Sequence, residues 1–165
     1  MPAVRVRVAE ERDGEAIRAI YNLEVTTSTV TFDLVPRSRE DQQAWLRSRS
    51  GAHVALVAVD EDGAVAGFGS LSPYRDRPAY RTSVEDSVYV HRDRQGLGIG
   101  KVLLASLLEV ATASGFHAVL GRVVGGHEAS IGLHRSLGFE VVGTEREVGR
   151  KFGRWLDVVL MQKLL

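Results

Sequence analysis

The segment Arg94-Gln95-Gly96-Leu97-Gly98-Ile99-Gly100 constrains this chain more than any other. It follows a β-branched and aromatic run ending at Val90. It precedes Val102, Leu103, Leu107, Val110 and Ala111, which are spaced as one face of a helix running from Gly100 to Ala113. A glycine-rich turn from strand into helix exposes backbone N–H groups at the positive end of the helix dipole, which suits a phosphate or pyrophosphate. Counting excludes two common forms of such a loop. The nucleotide-triphosphate loop needs four residues between its first glycine and Gly-Lys, then Ser or Thr. Here three residues separate Gly96 from Gly100, and Val102 stands where a hydroxyl would hold magnesium. The dinucleotide fingerprint needs glycine at its first, third and sixth places, and Lys101 occupies the sixth counted from Gly96.

Elsewhere the apolar periods predict a βααβββαβαββ order. Val4, Val6 and Val8 share a strand face, and Glu10-Glu11-Arg12-Asp13 offers carboxylates to a helix carrying Ala16, Ile17, Ile20 and Tyr21. Thr26-Thr27-Ser28-Thr29 reads as a polar loop. Ser38 with Asp41 makes a capping box for a helix with Trp45 and Leu46. His53–Val59, Asp62-Gly63 and Ala64–Leu71 form a hairpin, and Tyr80–Val90 is the next strand after an arginine- and proline-rich loop, Pro73–Ala79. Beyond the glycine loop and its helix lie a strand over Phe116–Val124, a short helix over His127–Leu137, and strands at Phe139–Thr144 and Trp155–Met161. This order implies an α/β fold with a mixed sheet.

A chain of 165 residues fits one domain, 1–165. Lysine plus arginine equal aspartate plus glutamate, 21 each, so no global field gathers nucleic acid or an anionic membrane. With no cysteine there is no disulfide and no thiol nucleophile, as fits a cytoplasmic protein, and the alternating first residues lack the apolar run of a leader or membrane span. His53, His91 and His117 are scattered without ligand spacing, so no metal site is expected.

Gln95, Gly98 and Gly100 satisfy Gln/Arg-x-x-Gly-x-Gly/Ala, and this spacing resembles the pyrophosphate loop of the acyl-CoA N-acyltransferase (GNAT) superfamily. Four stretches narrow the resemblance: Thr31-Phe32-Asp33, Val84-Glu85-Asp86-Ser87-Val88-Tyr89-Val90, Gly132-Leu133-His134-Arg135-Ser136-Leu137-Gly138-Phe139, and Val148 to Asp157 with Lys151-Phe152-Gly153-Arg154-Trp155-Leu156-Asp157 at its heart. Together they are similar to the phosphinothricin and methionine sulfoximine N-acetyltransferases over Val4 to Gln162. The resemblance implies a single-domain GNAT-like, mostly antiparallel sheet flanked by helices. It also implies acetyl-CoA as co-substrate, a small amino-acid-like amine acceptor and a homodimer. Cofactor contacts are implied at Val88, Tyr89, Val90, Arg94, Gln95, Gly96, Leu97, Gly98, Ile99, Gly100, Lys101, His127 and Ser130. An acceptor wall is implied at Phe32, Arg75, Asp76, Arg77, Glu85, Asp86 and Ser87. The chain departs from the family at Asp86, where histidine is usual, and at His127, where asparagine is usual.

Acetyl transfer to an alkyl amine needs a base, because near neutral pH most of the amine is protonated and only the free form attacks a thioester. Glu85 is the candidate. Strand alternation puts it on one face with Ser87 and Tyr89, and Val84, Asp86, Val88 and Val90 on the other. The resemblance assigns the oxyanion to a backbone N–H between Val88 and Val90. A thiolate leaves well unaided, its conjugate acid having a pKa near ~8.5, and His134 is the candidate proton donor to it. Arg75 suits an acceptor carboxylate. Two alternatives stay open: Asp86 admits a different amine, such as a peptide N-terminus or polyamine, and His127 admits a CoA-binding module without catalysis.

Overall fold

The computed structural model describes residues 3–165 and realises the expected order: β1 (Arg5–Val8), α1 (Gly14–Thr27), α2 (Arg39–Arg47), β2 (Ala55–Val59), β3 (Val65–Pro73), β4 (Ser83–Val90), α3 (Ile99–Ala113), β5 (Ala118–Val124), α4 (Glu128–Ser136), β6 (Glu140–Lys151) and β7 (Arg154–Leu164). Local chemistry explains most boundaries. Ser38 Oγ accepts from Asp41 N at 3.0 Å while Asp41 Oδ2 accepts from Ser38 N, closing the expected capping box of α2. In the β2–β3 turn Asp60 Oδ1 accepts from Asp62 N and Ala64 N, and Gly63 takes φ +83°.

Three expectations need correction. Thr26 and Thr27 belong to α1, because their hydroxyls bond back to carbonyls of the preceding turn at Asn22 and Leu23 and let the helix run to Ser28. Tyr80 ends a 3₁₀ turn that opens at Pro78, so β4 starts at Ser83. The strand read as Phe139–Thr144 continues to Lys151. An irregularity between Glu145 and Gly149, with Glu147 at φ 54°, breaks its alternation without ending its pairing to β7.

The seven strands form one sheet in the order β1-β2-β3-β4-β5-β7-β6. α1 and α2 bury Ile17, Ile20, Tyr21, Val25 and Leu46 against one face. α3 and α4 bury Ile99, Leu103, Leu107 and Ile131 against the other, with Val84, Val119, Val123 and Met161 beneath. β4 and β5 run parallel, whereas the other neighbours are antiparallel. Their pairing covers only Ser83–Glu85 against Ala118–Leu120, after which the two strands part. No helix among the described residues is long and apolar enough to cross a membrane.

Candidate active site

A cleft of about 710 Å³ opens where β4 and β5 diverge, and it runs from the glycine loop to the side chains of Asp86 and His134. That volume is ordinary for a site that holds a ligand of cofactor size. At its upper end Gly96 and Gly98 take φ +78° and +83°, a region that side-chain-bearing residues enter at a cost. Gly98 is the N-cap of α3 and receives Val102 N at 3.2 Å as the first bond of the helix. The N–H groups of Gly98, Ile99, Gly100 and Lys101 therefore have no partner within the helix and are available to an anion. The cradle fits a pyrophosphate. Arg94, expected to touch the cofactor, lies on the cleft but spends its guanidinium on Asp60, 2.6 Å away. Leu97 is 55% exposed and outside the cleft lining.

The backbone of β4 supplies the second set of donors. His91 N bonds Ala66 O on β3 at 2.8 Å, so alternation turns the N–H groups of Val90, Val88 and Asp86 the other way, toward the gap left by β5. Val88, Tyr89 and Val90 line the cleft, as do Gln95, His127 and Ser130. The β3–β4 register is unbroken, so the faces read from the sequence hold. Val88 and Val90 pack toward α3, and Tyr89 packs toward α1, stacked on Phe68 with centroids 5.3 Å apart.

Glu85 and His134, the two candidate catalytic side chains, stand on opposite faces of the sheet. Asp86 turns toward α4 and pairs with His134 at 2.9 Å, both side chains being almost fully buried. Burial works against a charged His134, but the Asp86 hydrogen bond and charge together with the Ser130 carbonyl outweigh it and raise the pKa. His127, at the start of the same helix, is pushed down by burial, with Glu24 opposing and His134 adding to the shift. On the other face Glu85 is half-buried, and burial raises its pKa. Arg122 and Arg75 pull it down, and Asp86 pushes it further up. Arg122 Nε is 3.7 Å from Glu85, and its Nη2 is 2.7 Å from Glu145 on β6.

The remaining acceptor residues are dispersed. Arg75, Asp76 and Arg77 form their own shallow hollow with Tyr74 and Tyr80, apart from the cleft; of the three, Arg75 acts on Glu85 through its charge. Asp86, also expected in the acceptor wall, faces α4 and lines the cleft beside His134. Phe32 is pinned by the β6 backbone, for a Cβ on Gly149 would stand 2.3 Å from its ring. Beside it the buried Lys151 donates to Thr31 O at 2.9 Å. Sequence reasoning missed Arg122, Glu145 and Glu24, the last paired with Arg92 at the cleft. Nothing local separates these from solvated charges; their charged partners lie 23 to 68 residues away.

Residues 6–160 match the acetyltransferase (GNAT) domain family. The chain is 43% identical to the L-methionine sulfoximine/L-methionine sulfone acetyltransferase of Pseudomonas paraeruginosa, over 95% of this chain and 92% of that one. The chain belongs to the GNAT acetyltransferase family. Among solved GNAT structures it is similar to a phosphinothricin acetyltransferase from Sinorhizobium meliloti in complex with acetyl-CoA, with TM-score 0.95, 39% identity and coverage of 99% of this chain and 89% of that one. It is likewise similar to a ribosomal-protein-alanine N-acetyltransferase from Brucella melitensis, with TM-score 0.95, 42% identity and coverage of 98% and 99%. As a GNAT enzyme it is an N-acetyltransferase whose co-substrate is acetyl-CoA, and the glycine cradle with the β4 edge below it is the place in this fold that suits that molecule.

Proposed function

We propose that this enzyme transfers acetyl directly from acetyl-CoA to the amine of a small amino-acid-like acceptor, of the methionine sulfoximine, methionine sulfone or phosphinothricin type, with Glu85 as general base. The observation that carries the reading is the setting of Glu85. Its carboxylate is half-buried on the face of β4 away from α4, with a raised pKa and the guanidinium of Arg122 at 3.7 Å. A base moved toward neutrality takes a proton from an ammonium more readily than an ordinary surface glutamate. The neighbouring cations, Arg122 and Arg75, suit an acceptor carboxylate and fix the amine end near Glu85. Acetyl-CoA supplies an activated acyl group. The chain holds it along the glycine cradle, and the N–H groups of Val88 and Val90 are placed to receive the carbonyl oxygen as it gains charge. The relatives acting on methionine sulfoximine and phosphinothricin support this acceptor class.

A thiol-release assay over a panel of amines tests it. Turnover of a sulfoximine, sulfone or phosphinothricin sustains the reading, and rejection of all of them refutes it. The ribosomal-protein-alanine acetyltransferase neighbour favours a second reading, a peptide N-terminus, and the panel includes such peptides. A homodimer belongs to the same proposal. β6 is a sheet edge, and Val141, Val142 and Val148 on it, with Phe152 and Trp155 beyond, are 42 to 61% exposed. Light scattering reads the mass directly. A cytoplasmic location completes the reading, consistent with a chain that has no cysteine to oxidise.

A further inference from the structure

His134 has a partner at each ring nitrogen, and both partners are acceptors. Nδ1 is 2.8 Å from the carbonyl oxygen of Ser130, one turn back on α4. Nε2 is 2.9 and 3.2 Å from the two carboxylate oxygens of Asp86. A neutral imidazole has one N–H and one lone pair, so it satisfies only one of these neighbours. With Asp86 ionised, both neighbours are satisfied only by a doubly protonated ring, Nδ1 donating to the Ser130 carbonyl and Nε2 to Asp86. The ring has no room to turn out of this arrangement. A Cβ on Gly121 of β5 would come within 2.8 Å of Nε2, and Phe139 stands edge-on with its centroid 4.8 Å away. The titratable groups around His134 are Asp86 from β4 and His127 at the start of α4, with Glu85 on the far face of β4 acting through Asp86. From β5 the facing residue is Gly121, and from the segment after α4 it is Phe139, neither of which titrates.

The pair also has a defined place along the cleft. Asp86 sits four residues before Val90 on β4, about 13 Å by strand rise, so it lies down the cleft from the phosphate cradle. We propose that Asp86 is a positioning residue that keeps His134 an imidazolium at the floor of the cofactor cleft, where a fixed positive charge faces the thiolate released in acetyl transfer. This rests on the direct-transfer reading above. In that reaction the amine nitrogen bonds to the acetyl carbon, and the C–S bond breaks with its electron pair left on sulfur. The nitrogen loses two protons on the way from ammonium to amide: Glu85 takes the first and passes it to solvent as the free amine forms, then takes the second as the tetrahedral adduct collapses. His134 keeps both of its protons, and its ion pair with Asp86 acts on the new anion as a fixed dipole with the positive end toward the sulfur, in a cleft where fixed dipoles and charges act more strongly than in water. The role differs from proton donation: Asp86, which faces away from the acceptor side, acts on the reaction through the histidine.

The decisive measurement is the imidazole NMR titration of His134 in the ligand-free chain, from about pH 5 to about pH 10, beside the pH profiles of kcat and of the acetyl-CoA KM. Expected is a wild-type His134 that stays doubly protonated well above the ordinary histidine range. In Asp86→Asn it titrates at or below that range, kcat falls roughly 10- to 100-fold, and the alkaline limb of kcat moves to lower pH. Asp86→Glu restores part of both. A wild-type His134 that loses its proton in the ordinary range overturns the inference even if Asp86→Asn fails to fold. So does an Asp86→Asn variant whose pH profile superimposes on the parent. If Glu85→Gln leaves transfer unchanged, Glu85 is not the base and the proposed function fails at that point, whereas the role of Asp86 and His134 at sulfur stands or falls on the His134 titration and the Asp86→Asn profile.

Discussion

Replacing one hydrogen by a methyl group at Gly121 probes how tightly the buried pair is built. An alanine Cβ there would stand 2.8 Å from His134 Nε2, 2.9 Å from its Cδ2 and 3.3 Å from Asp86 Oδ2. Nonbonded carbon contacts settle near roughly 3.5–4.0 Å, so the ring or the strand must give by more than half an ångström. The ring is held at Nδ1 by the Ser130 carbonyl and edge-on by Phe139, and β5 is paired to β7 from Ala118 to Val124. Overpacking of this kind costs about 1–3 kcal/mol. If the ring swings away and leaves the buried Asp86 without its cation, about 3–5 kcal/mol is added. Gly121→Ala is therefore expected to lower stability by about 1–3 kcal/mol if the pair holds and by about 4–8 kcal/mol if it breaks. At about 2–4 °C per kcal/mol for a chain of this size, Tm falls by roughly 2–12 °C in the first case and by roughly 8–32 °C in the second. Urea and thermal melts followed by circular dichroism measure the loss, and the His134 NMR signal shows whether the pair survives. A loss below about 1 kcal/mol with an unaltered His134 signal would refute the reasoning, since the methyl would then have found room without disturbing either partner.

Glu85→Gln is expected to lower kcat/KM by roughly 10²–10⁴-fold in the thiol-release assay while leaving the acetyl-CoA KM unchanged. Since burial raises the pKa of Glu85, the parent rate should climb with pH along a limb above the ordinary glutamate range, and the glutamine variant should lack that limb. Arg122→Gln removes a cation that holds Glu85 down, so the same limb moves to higher pH. Gly98→Ala forces a side chain into φ +83°, a strain of about 1–2 kcal/mol, and should raise the acetyl-CoA KM several-fold with little change in kcat. For stability, His134 has a folded pKa above its unfolded value. Its contribution is complete below about pH 6.5 and is lost as pH rises through the folded value. His127 is shifted down and has the opposite sign, losing its contribution as pH falls through its lowered value. Urea midpoints on the alkaline side should decline in the parent and stay level in His134→Gln.

Elements with a clean period were legible in the amino-acid sequence. The capping box at Ser38 and Asp41, the apolar stripe of α3 and the alternation of β4 depend on neighbours within one turn or one pleat, and all three stand in the structure. Where a side chain changed its local partner, legibility failed: the hydroxyls of Thr26 and Thr27 turned back to support α1, and the irregularity before Gly149 hid half of β6. The glycine loop announced a phosphate cradle because its function is backbone geometry, encoded directly by glycine. The pairing of Asp86 with His134 spans 48 residues and crosses from β4 to α4. Alternation and helical spacing give a direction for each residue but not the distance between them. Arg122 was silent for the same reason, since an arginine on a strand face looks alike whether it meets water or Glu85.

The parting of β4 and β5 has a consequence for the whole architecture. Pairing over Ser83–Glu85 alone joins a β1–β4 leaf to a β5–β7 leaf, and below that short hinge each leaf presents an internal edge to the other. Edges of this kind invite another strand, yet here they face each other across the cleft. A molecule lying along β4 would complete a ladder that the chain leaves unfinished, as a removable eighth member of the sheet. Any ligand that fills this seam in the folded chain alone would add its binding free energy to the fold, joining occupancy of the cleft to the firmness with which the two leaves are held.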